Sequence, residues 1–227
     1  MKRVFILIFL SIVPLWGLQQ TWTLENGAKA LVYFPKSFSK YKSTPVIMAL
    51  HGMGEYTQPT LDKWIPIADE FNYIIIAPVG HNFKEGFSRH PIDDRKEFVE
   101  FDTLLKKHYR IDKKKSILAG FSRGGNFALE TGLMYPKIFP NVLCIFGFFN
   151  TTNSDFLTKN FNPKDYKQSK IFILTSKNDF TEKSSILAQT TLNSFNIKNH
   201  LQIEKNIYHV YPDPFNKYFN TIYNWYF

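Results

Sequence analysis

The chain of 227 residues contains a single cysteine, so no internal disulfide can staple it and the fold must rest on packing. That cysteine, Cys144, lies in the apolar run 142–146, the setting of a small core residue rather than a reactive thiol. Metal-binding spacings are missing as well. The histidines are scattered, no His-Glu-x-x-His signature occurs and the carboxylates lack calcium-loop spacing, so neither a metal nor a cofactor is expected. There is no recognisable nucleic-acid module, no repeat and no low-complexity tract. The formal charge of +9 is therefore read as a general compositional bias, its one tight cluster being Lys113-Lys114-Lys115. What is present is apolar residue in plenty, 44% of a chain long enough to bury one substantial core.

The longest uncharged run is at the start. Lys2 and Arg3 precede Val4 to Leu15, interrupted only by Ser11 and Pro14. A short basic segment before about a dozen apolar residues reads as a secretory signal, short for a bilayer span. Gly17 offers a small residue for cleavage. The expectation is a signal over 1–17, one domain over 18–227, export to periplasm or medium, and no stable membrane insertion once the signal is removed. An uncleaved anchor is the alternative. With no cysteine in this region, lipid modification is not expected.

Beyond the signal, strand and helix patterns alternate. Residues 21–25 and 29–34 read as a hairpin turning at Asn26-Gly27. Apolar strands are predicted at 45–50, 73–77, 116–119, 142–146, 171–174 and 201–203, and helices at 61–71, 95–109, 122–135, 181–194 and 213–226. Short, continuously apolar strands between helices indicate an α/β fold, a mostly parallel sheet covered on both faces. In such sheets ligands bind beyond the carboxyl ends of the strands, so functional groups should directly follow a strand.

Gly120-Phe121-Ser122-Arg123-Gly124 meets that condition. A strand must turn sharply into a helix with a serine at the apex, and a side chain at either flanking glycine would obstruct the turn. The turn exposes the Ser122 hydroxyl at a helix N-terminus, where the Arg123 amide can donate to a developing oxyanion. The apolar strand before it and the helix after it, carrying Phe127, Ala128 and Leu133, supply the required context.

At this point the chain resembles the α/β-hydrolase superfamily. Within it, the likeness is to small secreted serine esterases of the phospholipase/carboxylesterase and polyhydroxybutyrate-depolymerase-like groups. The residues that carry it are the helix at 102–109, Ile111-Asp112, Gly120 to Gly125, and Tyr135-Pro136 with Phe139. Arg123 stands where those groups often have Gln or Ala, so their substrates do not carry over.

The resemblance implies the chain order serine, acid, histidine. His200 and His209 follow Ser122; His200 precedes the predicted last strand, whereas His209 follows it and is assigned as base. Asp179 follows strand 171–174 and is assigned as the acid that orients the imidazole, with Asp155 and Asp165 farther from a strand end. The loop His51-Gly52-Met53-Gly54 should supply the second oxyanion donor, the Met53 amide, with His51 structural. The connection 147–170 is too short for a substantial lid, which points to an open cleft, and 81–94 is expected to form another wall. Arg123 either presents its cation to an acidic substrate group or points away while its amide works.

These assignments describe a serine hydrolase that cleaves small or polymer-borne carboxylic esters through an acyl-enzyme on Ser122. A peptidase or other acyl hydrolase on the same scaffold is the alternative, and a non-catalytic binding protein a third reading.

Overall fold

The computed structural model describes residues 17–81 and 86–227. The predicted signal falls almost wholly outside the described residues, and four positions of the expected 81–94 wall fall outside them too.

The elements in chain order are β1 (Leu18–Thr23), β2 (Lys29–Phe34), β3 (Val46–Leu50), α1 (Thr57–Phe71), β4 (Ile74–Pro78), α2 (Asp94–His108) and β5 (Ile117–Phe121). They continue with α3 (Arg123–Met134), β6 (Asn141–Ile145), α4 (Thr151–Asn160), β7 (Lys170–Ser176), α5 (Glu182–Ser194), β8 (Lys198–Glu204) and α6 (Phe215–Tyr226). The strands form one eight-stranded sheet in the order β1-β2-β4-β3-β5-β6-β7-β8. The β1–β2 and β2–β4 pairings are antiparallel and the remainder parallel.

The continuous apolar runs are explained by burial on both faces. Met48, Ile76, Leu118, Cys144 and Ile173 enter one core, beneath α2, α3, α4 and α5. Their neighbours Ile47, Ile75, Ala119, Ile145 and Phe172 enter the other, beneath α1 and α6. Each large side chain so buried stabilises the fold by roughly 1.5–3 kcal/mol. On α6, Phe215, Phe219, Ile222 and Tyr226 recur at helical spacing and make one buried stripe. Within that layer Trp64 packs edge-on against Phe215 and Phe219, at 4.9 and 5.9 Å between ring centres.

Local chemistry sets the helix ends. Asp93 caps α2 by accepting from the Arg95 amide. Acidic Asp94 and Glu97 in its first turn and basic Lys106, Lys107 and His108 in its last complement the helix dipole. Several boundaries depart from expectation, β1 among them, running Leu18–Thr23 rather than 21–25. α1 begins at Thr57, four residues early, because Pro59 lies in the first turn, where its missing N–H has no helical acceptor to lose. The 147–170 connection holds α4, nucleated by a reciprocal Asn150/Asn153 capping box. β8 starts at Lys198, so His200 lies within the last strand rather than before it, paired with Phe172 near the amino end of β7. No inserted cap larger than the ten-residue α4 stands in that connection among the described residues.

Candidate active site

The carboxyl ends of parallel β3, β5, β7 and β8 lie along one rim of the sheet. The residues singled out from the sequence follow these strands directly. Ser122 stands between β5 and α3 at φ 51° and ψ −117°, a left-handed backbone that costs a non-glycine residue on the order of 1–3 kcal/mol. Surroundings hold it there: its N–H donates to the Ile145 carbonyl at 2.8 Å and its C=O accepts from the Asn126 amide at 3.1 Å. The turn also requires two bare Cα atoms. A Cβ on Gly120 would lie 2.1 Å from the Gly124 carbonyl oxygen, and one on Gly124 would lie 2.3 Å from that of Leu50. The second contact seats the first turn of α3 against the end of β3.

Asp179 lies in the turn after β7. Its Oδ1 accepts from the Thr181 amide at 2.8 Å and the Thr181 hydroxyl at 2.6 Å, and that hydroxyl also meets Thr175 at 2.8 Å. Its Oδ2 is 3.1 Å from His209 Nδ1. A carboxylate acceptor there requires Nδ1 to carry the proton, leaving Nε2 as the basic atom. Nε2 is buried and has no hydrogen-bond partner. Three aromatic rings surround the imidazole: Phe121 and Phe146, each at 5.2 Å, and Phe180, stacked at 4.5 Å. Phe121 adjoins Ser122 in the chain, so the imidazole sits beside the serine turn. Ser122 and His209 are not hydrogen-bonded in this conformation; in free enzymes such bonds commonly tighten only when substrate arrives.

Met53 is exposed on the loop after β3, whose backbone is tied by the Gly52 amide donating to Glu55 Oε2 at 2.7 Å. His51 is a brace. Its Nδ1 donates to the Gly52 carbonyl at 2.8 Å and its Nε2 accepts from the Gly80 amide at 3.3 Å. That arrangement needs a neutral ring, and burial lowers the His51 pKa below the ordinary histidine value. The Arg123 amide opens α3, while its guanidinium lies over the Phe127 ring, 5.0 Å from the centre. Cys144 is fully buried, which pushes its thiol up to about 12, a core residue and no nucleophile at neutral pH.

Three features had no counterpart in the sequence reading. One is the aromatic surround of His209, assembled from three separate segments. The second is a polar network on α3 in which Arg89 reaches Glu130 and Asn126, and Arg95 reaches Asp93 and Glu130. The third is the group His81, Asp94 and Glu97 beside the wall. Thr181, two residues after the acid, was not singled out from the sequence, although hydroxyl side chains commonly bond within their own turn and that signal points to it.

A family model described as "Putative esterase" matches residues 22–218 of the chain. A bifunctional acetylxylan esterase/xylanase, XynS20E of Neocallimastix patriciarum, is 29% identical over 103 residues, covering 44% of this chain and 15% of that protein's length. A ferulic acid esterase structure superposes with a TM-score of 0.76 at 17% identity, covering 92% of this chain and 96% of the other. FphF, a fluorophosphonate-binding serine hydrolase of Staphylococcus aureus, superposes at 0.75 with 15% identity, covering 92% and 97%. At such identities these two structures establish the shared α/β-hydrolase fold.

Proposed function

Because the chain belongs to this esterase family, we propose that it is a serine hydrolase that cleaves carboxylic esters through an acyl-enzyme on Ser122. The observation that carries the reading is the pair at the rim: His209 Nδ1 bound to Asp179 at 3.1 Å, with a buried, unpartnered Nε2 beside the Ser122 turn. Family membership supports ester rather than peptide bonds as the target.

In the proposed reaction the Ser122 hydroxyl attacks the ester carbonyl and His209 Nε2 takes its proton. Asp179 holds the ring in the tautomer that leaves Nε2 basic and stabilises the imidazolium as it forms. The carbonyl oxygen becomes an oxyanion, received by the amides of Met53 and Arg123; the close seating of Gly124 on the Leu50 and His51 carbonyls, at the end of β3, supports this pairing. His209 then gives the proton to the departing alcohol. Water, activated by the same imidazole, releases the acid. The strained backbone of Ser122 keeps the hydroxyl proud of the sheet throughout.

Supporting an open cleft that takes a small or polymer-borne ester are the short α4 and the exposed Met53, Phe180 and Tyr208. We place the protein outside the cytoplasm, with 1–17 as signal and 18–227 as a single domain. Lys2, Arg3 and the apolar run after them support this, and N-terminal sequencing of exported protein tests it. No helix among the described residues is long and apolar enough to cross a membrane.

The functional reading is tested with panels of p-nitrophenyl and carbohydrate esters beside chromogenic peptides, using wild type and Ser122→Ala. Ester turnover falling by several orders of magnitude in the folded variant is expected. Peptide cleavage without ester cleavage would move the assignment to a peptidase.

A further inference from the structure

The residues His81, Asp94 and Glu97 take no part in the proposed acyl transfer. His81 follows β4, whereas Asp94 and Glu97 stand one turn apart on α2, on the same face. Asp94 is wholly buried and Glu97 nearly so, at 4% exposure, while the His81 side chain remains 28% exposed. The imidazole bridges the two carboxylates, with Nδ1 2.5 Å from Asp94 Oδ1 and Nε2 3.4 Å from Glu97 Oε1. One ligand atom from each residue lies within 4.8 Å of the other two. Each carboxylate is also held from behind. The Ser88 amide donates to Asp94 Oδ2 at 2.5 Å, and Asn26 Nδ2 donates to Glu97 Oε1 at 2.8 Å.

Two buried carboxylates around one imidazole need compensating positive charge or protons. Burial of a carboxylate is costly unless a cation or a proton compensates it. An imidazolium offsets one negative charge, and a proton shared between Glu97 and Asp94 offsets the other in the metal-free cluster. A divalent ion with a neutral imidazole offsets both equally well and takes the place of those two protons, with all three ligand atoms already within 4.8 Å of one another. The α2 N-terminus helps the carboxylates but supplies only about half a charge.

We propose that His81, Asp94 and Glu97 form a divalent transition-metal site of the zinc type. One imidazole nitrogen and two carboxylate oxygens suit zinc, or manganese less tightly, whereas calcium and magnesium prefer oxygen alone. The partly exposed side of His81 leaves a way in and room for water to complete the coordination. Ser88 and Asn26 orient the carboxylates, as outer partners of metal ligands commonly do. The spacing explains why the set escapes a motif search: the histidine stands thirteen residues before the first carboxylate.

The ion would be structural. Gly80, which braces His51 through its amide, is the residue before His81. A bound metal therefore ties the end of β4 to α2 directly behind the loop that carries Met53. The rival account is a metal-free cluster in which the imidazole alone bridges the acids.

The test uses the untagged full chain, stripped with a chelator and titrated calorimetrically with zinc chloride and, separately, manganese chloride. Wild type is compared with His81→Ala and Glu97→Gln. The alanine variant alters a partly exposed side chain, and the glutamine variant keeps an acceptor for Asn26, so both should fold; metal-free melting curves check this. One zinc per chain is expected with micromolar affinity or better, weakened by about 100-fold or more in each variant. Zinc should raise the melting temperature of wild type and not of the variants. Absence of saturable zinc binding below about 1 mM, or one-equivalent binding undiminished in both variants, overturns the proposal in favour of the metal-free cluster. Neither measurement depends on Ser122.

Discussion

Adding one methyl group at Gly124 should damage catalysis far more than folding. A Cβ there would lie 2.3 Å from the Leu50 carbonyl oxygen and 2.5 Å from that of His51, both backbone atoms with little freedom to yield. Carbon and oxygen ordinarily approach no closer than about 3.3 Å, so Gly124→Ala must part α3 from the end of β3 by roughly 1 Å. Overpacking of that size costs about 1–3 kcal/mol, and for a chain of this length lowers the melting temperature by roughly 2–12 °C. The same displacement should separate the amides of Met53 and Arg123, the two proposed oxyanion donors. Misplacement by about 1 Å is expected to cost on the order of 10²-fold in kcat/KM. Gly132→Ala is the internal control. It adds a methyl to the other end of α3, 2.2 Å from Val142 Cγ2, far from the serine turn. It should lower the melting temperature, less what alanine returns in helix propensity, about 1 kcal/mol. Activity per folded molecule should stay at the wild-type level. Hydrolysis of p-nitrophenyl acetate and differential scanning calorimetry on both variants decide the matter. Gly124→Ala with wild-type kcat/KM and a lowered melting temperature would refute the account of the oxyanion donors.

Asp179→Asn should fold normally, because Oδ1 can keep its Thr181 donors, and should lose about 10⁴ in kcat, because the amide no longer fixes the His209 tautomer. Single-turnover kinetics will read this, and a loss under tenfold would speak against Asp179 as the orienting acid. Thr181→Val removes a hydroxyl shared between Asp179 and Thr175 and should cost roughly 1.5–3 kcal/mol in urea unfolding. His51 carries the pH dependence. Its folded-state pKa lies below that of an unfolded histidine, about 6.5, so its contribution to stability is complete above that value. The contribution is lost as pH falls through the lowered folded value. The stability gap between wild type and His51→Asn should therefore shrink from about pH 7.5 to about pH 5, and a constant gap would contradict the neutral-brace reading.

How far the sequence reveals the molecule depends on whether the signal is local. The parallel strands were legible because burial on both faces demands uninterrupted apolar residues, as in Ile117 to Phe121. The serine turn was legible because its glycines, its strand and its helix are contiguous. α4 was not, since Phe156 and Leu157 are its only large apolar residues and an Asn–Asn box replaces the commoner capping pair. The start of β8 was missed because Lys198, Asn199 and His200 are polar and partly exposed on the last strand of the sheet. Features assembled from distant segments stayed hidden. Phe121, Phe146 and Phe180 reach His209 from the ends of three strands, and His81 meets Asp94 and Glu97 only once β4 and α2 are packed.

The central claim, that Ser122 is a nucleophile made reactive by the imidazole at its side, is most directly tested by covalent capture. Folded wild-type protein is incubated with a fluorophosphonate, and the adduct is counted by intact mass and located by peptide mapping. One phosphonyl group per chain on Ser122, absent from Ser122→Ala, is the predicted result. An unmodified wild-type protein, or an adduct on another residue, would contradict it.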